Sequence, residues 1–267
     1  MNQMRDFSDK RISSRCCFCG GDGSTGDHVP SKAFFDEPFP ENLMIVRCCK
    51  ECNNSFSSDE EFAACVIEVA RCGSLDVERE KVRRMLAHNP SRCADILSAA
   101  EAIRTSVLPR VNDSKIELII GKIARGLATF LAGMWVSDIQ CEMMILPKLS
   151  HEERMAFEES QGHEVWPEVG SRLMQMMVVC DHDVLMSQWE VCQKDRFRYM
   201  IIQMGDYCEV RMVIVNTLVL LRGVDDEDLK NEKRDNILLL IYSQATEACR
   251  SAWNMQVIFA ASTGKRL

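Results

Sequence analysis

The chain has 267 residues, of which 46% are hydrophobic and 27% are charged, and this composition is typical of a soluble globular protein rather than a disordered one. The net charge of −8 argues against a large basic surface for binding nucleic acid. There is no apolar run long enough to cross a membrane, and the polar N-terminus lacks the apolar core of a secretion signal. We therefore expect a cytoplasmic protein.

The first segment, residues 16–62, is rich in Cys, Gly, Asn and Ser and shows little hydrophobic periodicity. Such a segment has too few apolar residues for a core of its own, and a bound metal would have to hold it together. Residues 43–46 form a short apolar run of strand type. The Ser-rich and acidic residues 57–61 resemble a helix start, and this helix is expected to end near Arg71, before Gly73.

The middle of the chain is expected to be helical. Residues 76–104 predict two helices that are broken near 88–91, and residues 115–135 predict one long helix. Lys122 and Arg125 interrupt the apolar stripe of this helix and lie on one face of it. We interpret this face as solvated, with a surface that follows a nucleic-acid backbone as the alternative.

The last part of the chain has a different pattern. Short apolar segments separated by turn residues predict an antiparallel meander, with strands at 173–180, 197–204, 207–215 and 218–224. Residues 237–253 are expected to be helical.

These elements predict an α+β protein. A small N-terminal metal-bound module would be followed by a helical segment and by a C-terminal region that contains an antiparallel sheet. The predicted domain bounds are residues 1–72, 73–137 and 138–267.

Cysteine is concentrated near the N-terminus. Six of the 14 cysteines lie within the first 52 residues, where they include two CxxC pairs. Two such pairs can bind one Zn²⁺ tetrahedrally through four thiolates. The expected structural zinc ligands are Cys16, Cys19, Cys49 and Cys52. Their neighbours Cys17 and Cys48 are assigned to packing, and the alternative for the whole set is buried free cysteines.

Residues between and beside the two pairs suggest chemistry. Asp27 and His28 are followed by Val29 and Pro30, Asn42 precedes a leucine, and Asn53 directly follows the last cysteine of the second pair. The order CxxC, DHxP, NL, CxxCN resembles the HNH, or ββα-metal, endonuclease family, in the variant that is held by a structural zinc. The resemblance covers residues 16–62.

The resemblance implies a role for each motif residue. His28 would be the general base that activates water, Asn42 would orient it, and Asp27 would bind a catalytic metal. The last metal position is often His in the family and here corresponds to Asn53. An amide oxygen suits a hard cation, so this departure favours Mg²⁺ or Mn²⁺ over a second Zn²⁺.

Two points stay open in this motif. Instead of Asn53, the residue that closes the metal site could be Asn54, Glu60 or Glu61. Lys32 would contact phosphate, or it is an ordinary solvated lysine.

Two functions are compatible with these patterns. The first is a metal-dependent HNH endonuclease that hydrolyses phosphodiester bonds of nucleic acid, with DNA preferred over RNA as the expected substrate, in a bacterial or phage context such as defence or a mobile element. Its C-terminal region would serve specificity, sensing or homo-oligomerisation. The second is a non-catalytic zinc module that binds a protein or a nucleic acid. The Asp27–His28 pair favours the first, because a purely structural zinc site has no need of it.

Overall fold

The structure is a computed structural model, and it describes residues 14–105, 114–133, 138–145, 150–159, 171–180, 184–204, 207–215 and 237–244. The fold is α+β, as predicted. None of the helices in these ranges combines the length and the apolar character that a membrane-crossing helix needs.

A two-stranded hairpin and a long helix form the N-terminal part of the fold. Strand β1 (Thr25–Val29) pairs antiparallel with β2 (Met44–Cys48), and helix α1 (Lys50–Cys72) follows directly. This is the predicted ββα order. Gly73 ends α1 with φ of 75°, a left-handed conformation that glycine adopts without steric cost.

The predicted start of α1 is wrong. The helix begins about two turns before the Ser-rich segment, because the Cys49 side chain caps it and accepts a hydrogen bond from the Cys52 amide at 3.3 Å. An earlier cap made by a cysteine leaves Ser57 inside the helix, where its hydroxyl lies 3.5 Å from the carbonyl of Asn53.

The two predicted middle helices are confirmed. Helix α2 (Glu80–His88) is separated by a 3-10 turn (Pro90–Arg92) from helix α3 (Cys93–Thr105). Pro90 has no amide hydrogen and restricts the residue before it, so α2 cannot continue through it.

The long helix that follows packs against the hairpin. Helix α4 (Ser114–Leu127) continues as a π-helical turn (Ala128–Ala132), so the predicted helix is confirmed over these residues, while its last predicted residue, Trp135, lies outside the described residues. A Cβ placed on Gly126 would lie 2.5 Å from a methyl carbon of Val29. The close approach of α4 to β1 at this point therefore requires glycine.

The C-terminal region contains a five-stranded antiparallel sheet in the order β3-β9-β8-β7-β6. Its strands are β3 (Asp138–Ile145), β6 (Glu190–Gln193), β7 (Phe197–Met204), β8 (Tyr207–Ile214) and β9 (Ile237–Gln244). The remaining elements are helices α5 (His151–Glu158) and α6 (Arg172–Met176) and a hairpin of β4 (Val178–Cys180) and β5 (Val184–Met186). The predicted strands at 197–204 and 207–215 are confirmed.

Two predictions for this region are wrong. The segment predicted as a strand from residue 173 begins as helix α6, because Ser171 caps it by accepting a hydrogen bond from the Met174 amide. The segment from Ile237, predicted as a helix, is strand β9, which pairs with a strand on each side. A continuous apolar run fits either a central strand or a buried helix, so its periodicity does not separate the two. The predicted strand at 218–224 lies outside the described residues.

One core joins residues of all three predicted domains. It includes Phe35 near the hairpin, Ile119 in α4 and Phe197 in β7, and the rings of Phe35 and Phe197 lie edge to face with centroids 6.0 Å apart. The division of the chain at residues 72 and 137 stays a prediction.

Candidate functional site

The four cysteines of the two CxxC pairs form one cluster. The Sγ atoms of Cys16, Cys19, Cys49 and Cys52 all lie within 4.8 Å of one another, and those of Cys19 and Cys49 are 3.9 Å apart. A tetrahedral zinc site with Zn–S bonds of about 2.3 Å places its sulfurs about 3.8 Å apart. The cluster is therefore compatible with a structural zinc ion.

Two tight turns bring these thiols together. In the first turn, the Cys16 amide donates to the carbonyl of Gly21 at 2.7 Å, and the Gly20 amide donates to the carbonyl of Cys16 at 2.8 Å. Gly20 has φ of 76°, which favours glycine at this position. The second turn is the N-terminus of α1, where Cys49 is both a member of the cluster and the helix cap.

The thiol pKa of Cys16 is shifted in the opposite direction from those of Cys17 and Cys48. Burial raises the pKa of the Cys16 thiol, but hydrogen bonds from backbone amides, that of Cys49 first, outweigh it and lower the pKa to about 7. Burial raises the pKa of Cys17, and it raises that of Cys48 to about 11. A depressed pKa favours the thiolate that binds metal. Cys17 and Cys48 are buried and lie outside the cluster, as predicted.

Asp27 lies at the centre of a buried group of charges. Its carboxylate is 2.5 Å from the ammonium of Lys122 in α4, and the same ammonium also forms an ion pair with Glu60 of α1. Asp27 and Glu60 are each 8% exposed, and Lys122 is 3% exposed. Because two carboxylates share one ammonium, the group has a formal charge of −1.

Aromatic rings enclose the Lys122 ammonium. It lies 5.3 Å from the ring centre of Phe18 and 4.9 Å from that of Phe56, within the range of a cation–π interaction. Burial would lower the pKa of Lys122, but the negative charges of Glu60 and Asp27 raise it, so the lysine is charged at neutral pH.

The predicted solvated face of α4 is wrong for Lys122. This residue points into the protein because its helix face packs against β1, and the ion pairs compensate for the loss of water. Gly126, four residues later on the same face, is the sequence signal for this close packing. Arg125 is half-buried, and its guanidinium donates to the carbonyl of Phe18 at 3.4 Å.

His28 follows Asp27 on β1 and is half-buried. Its Nε2 atom is buried and forms no hydrogen bond with any described residue. Burial lowers the pKa of His28, the positive charges of Lys32 and Lys122 lower it further, and Asp27 opposes them. The imidazole is therefore neutral at neutral pH, which is the form that accepts a proton.

The two motif asparagines lie in different surroundings. Asn53 is in the first turn of α1, and its side-chain nitrogen donates to Thr25 Oγ1 and to the carbonyl of Gly26, both at 3.4 Å. It thereby ties the helix to β1. Asn42 is exposed in the turn before β2, and within the described residues no hydrogen bond joins it to His28. Its role in orienting His28 stays a prediction.

Helix α1 presents a polar face to β1. Asn53, Phe56 and Glu60 are spaced by three and four residues, so they lie along one side of the helix. Asn53 contacts β1 directly, and Glu60 reaches Asp27 through Lys122. Glu60 was one of several alternatives for closing the site, and the structure connects it to Asp27 through this shared ammonium.

A cleft opens beside this group, between α1 and α2, with a volume of about 610 Å³. Its lining residues come from the segment after β1, from α1 and from the end of α2: Ser31, Ala33, Ser57, Glu60, Glu61, Lys81, Arg84, Met85, His88 and Asn89. Glu60 belongs both to the buried charge group and to the cleft wall, so the cleft and the charge group meet at this residue. The sequence did not predict this cleft, because it depends on how α2 packs on α1.

Lys32 lies on the same side of the protein. Its ammonium is 5.4 Å from the centre of the Phe39 ring, and the ammonium of Lys81 is 4.9 Å from the same centre. Lys32 is half-buried, and its charge acts on His28.

The site thus combines a four-thiol cluster, a histidine that is neutral at neutral pH, and a pair of carboxylates of which one, Glu60, also lines a cleft. No protein-family model, curated protein or solved structure matches this chain.

Proposed function

We propose that this chain is an HNH-type endonuclease that hydrolyses phosphodiester bonds, with His28 as the general base. The observation that carries the proposal is the position of Asp27 and His28 on the first strand of a ββα unit whose helix begins at the four-thiol cluster. This joint arrangement is the one that the motif resemblance implies. We also propose that the metal of the cluster is Zn²⁺, because four thiolates in a tetrahedron suit that ion.

The state of His28 supports its role as the base. A general base must be unprotonated and must have a nitrogen that is free to accept a proton. The lowered pKa of His28 meets the first condition, and an Nε2 atom without a hydrogen-bond partner among the described residues meets the second. In the proposed reaction, this nitrogen takes the proton of the water that attacks phosphorus.

The carboxylates support a site for Mg²⁺ or Mn²⁺. Asp27 and Glu60 provide hard oxygen ligands, and the amide of Asn53 lies on the same helix face as Glu60. When bound there, such an ion would act as a Lewis acid on the phosphate and would stabilise the leaving oxygen. The residues fit a weakly held ion, because the Lys122 ammonium already neutralises part of the carboxylate charge.

The same ammonium favours one alternative function. Because Lys122 compensates Asp27 and Glu60, the group is also stable as a purely structural feature, and the module would then be a non-catalytic zinc-binding unit that recruits a protein or a nucleic acid. We place the nuclease first, since a structural role does not explain a buried histidine nitrogen that no described residue satisfies.

The deciding experiment measures cleavage of plasmid DNA and of a structured RNA with Mg²⁺ or Mn²⁺, for the wild-type chain and for His28→Ala. We expect His28→Ala to lower the rate by about 10²–10⁴-fold while zinc content and folding are unchanged. His151→Ala is the matched control, because His151 is exposed at the start of α5. An unchanged rate in a folded His28→Ala variant would remove His28 from the mechanism, and no cleavage by the wild type would favour the non-catalytic module.

A further inference from the structure

The cleft between α1 and α2 has walls of opposite charge. The α1 wall carries the acids Glu60 and Glu61, and the α2 wall carries the cations Lys81 and Arg84, with the imidazole of His88 beside them. The α2 residues are spaced by three and four positions, so their side chains lie on one face of the helix. We propose that this α2 face binds the sugar-phosphate backbone of a nucleic acid and directs one strand toward His28. This inference rests on the proposed nuclease function and identifies the part of the chain that holds its substrate.

The charge of Arg84 is available to a ligand. Its side chain is 67% exposed, and its guanidinium lies 3.6 Å from Glu80, which is also largely exposed. An ion pair in water contributes little free energy, so a phosphate can replace Glu80 at little cost. Arginine also binds phosphate through two parallel hydrogen bonds, which a lysine cannot do.

Positive charge continues from α2 to the candidate site. Lys81 donates a hydrogen bond to the carbonyl of Lys32, and the ammonium groups of both residues lie over the ring of Phe39. The charge of Lys32 in turn acts on His28. Lys81 and Lys32 therefore extend the positive charge of α2 toward the segment that follows β1, the strand that carries His28.

The length of this α2 face fits several phosphates. Lys81 and His88 are seven positions apart, which corresponds to about 10 Å along a helix that rises about 1.5 Å per residue. A nucleic-acid strand in a duplex rises about 3.4 Å per nucleotide, so the α2 face corresponds to about three nucleotides.

The acidic wall defines how the strand lies in the cleft. Glu60 and Glu61 repel phosphate, so the backbone is expected to lie against α2 and to approach α1 only where a cation compensates these acids. Glu60 and Glu61 would repel an acidic protein segment in the same way, and such a segment lacks the regular spacing of charges that a row of phosphates has. Because the whole chain has a net charge of −8, binding of nucleic acid requires a local group of basic residues, and the cations of α2 form such a group.

Neighbouring arginines of α2 provide a matched test. Arg83 and Arg84 are both more than half exposed and both form ion pairs with Glu80, but only Arg84 lines the cleft. The experiment measures binding of a fluorescent single-stranded and a duplex 20-nucleotide DNA to the zinc-loaded full chain by anisotropy, without added Mg²⁺, for the wild type, Arg84→Glu and Arg83→Glu. We expect Arg84→Glu to weaken binding about tenfold, while Arg83→Glu changes it about twofold or less.

Salt dependence gives a second readout. In Arg84→Gln, the slope of log Kd against log salt should fall by about one unit, because one phosphate contact is lost. Because Arg84 is exposed, neither substitution is expected to alter folding, and circular dichroism checks this. Equal weakening by Arg83→Glu and Arg84→Glu would overturn the inference, since it would indicate only a general effect of charge. Unchanged binding in both Arg84 variants would overturn it as well.

The outcomes also separate this inference from the proposed function. Binding that depends on Arg84 in a chain that cleaves neither DNA nor RNA would support the α2 surface and reject the nuclease. Cleavage and binding that are both insensitive to Arg84→Glu would support the nuclease and reject the surface. Binding of poly-glutamate that depends on Arg84, together with no binding of DNA, would overturn the inference in favour of an acidic protein partner.

Discussion

Replacing Lys122 by methionine is the strongest test of the buried charge group. Methionine keeps the apolar stem against Phe18 and Phe56 but removes the ammonium that pairs with both Asp27 and Glu60. Two carboxylates would then be buried without a cation. Removing one partner of a buried ion pair costs about 3–5 kcal/mol, so we expect the free energy of unfolding to fall by about that amount.

The assay is urea unfolding of the zinc-loaded chain, followed by circular dichroism. Lys115→Met is the control, because Lys115 is exposed on the same helix and its ammonium lies 5.1 Å from the centre of the Phe62 ring. This substitution should cost less than about 1 kcal/mol. Adding Asp27→Asn and Glu60→Gln to Lys122→Met should recover part of the loss, because the unpaired charges are removed. A cost for Lys122→Met within that of the control would refute the reasoning.

Two further predictions concern the metal cluster and the contact between the hairpin and the sheet. Cys49→Ser should release the cluster metal and shorten α1 at its N-terminus. Cys48→Ser is the control, because Cys48 lies outside the cluster, and this variant should retain one ion per chain when the metal content is measured by atomic absorption. Equal retention in both variants would show that the ligand set is wrong. Burial raises the pKa of Asp36, but Arg79 and Arg196 outweigh it and lower the pKa below 3.8, so its contribution to stability is present above pH 3.8 and is lost as the pH falls through the lower pKa of the folded state. Asp36→Asn should therefore destabilise the chain at pH 6, and the destabilisation should shrink only as the pH falls below 3.8 toward the lower pKa of the folded state. A destabilisation that does not depend on pH would contradict this.

Local patterns in the sequence predicted the metal cluster well. The CxxC spacing of Cys16–Cys19 and Cys49–Cys52 requires only two short turns, and each turn is determined by residues next to it, such as Gly20. The ββα order was implied by the motif resemblance, whereas the residue pattern alone predicted only the second strand, at 43–46, and placed the helix start too late.

Features that depend on distant residues were not predictable in this way. Lys122 and Glu60 are 62 residues apart, and their ion pair exists only because α4 packs on β1 and α1. The charge of Lys122 therefore led to the prediction of a solvent-exposed side chain, whereas the residue and both of its ion-pair partners are buried. Strand β9 was mistaken for a helix because its identity depends on pairing with β3 and β8 rather than on its own pattern.

The double role of Cys49 has a consequence for how the protein matures. Its sulfur belongs to the metal cluster and also caps α1, and the first turn of that helix carries Asn53, which holds the helix to β1. If the cluster binds the proposed zinc ion, a newly made chain without that ion would lack a fixed start for this helix, and with it the alignment of α1 on the strand that carries His28. The supply of the ion would then decide when the N-terminal part of a newly made chain completes its folding.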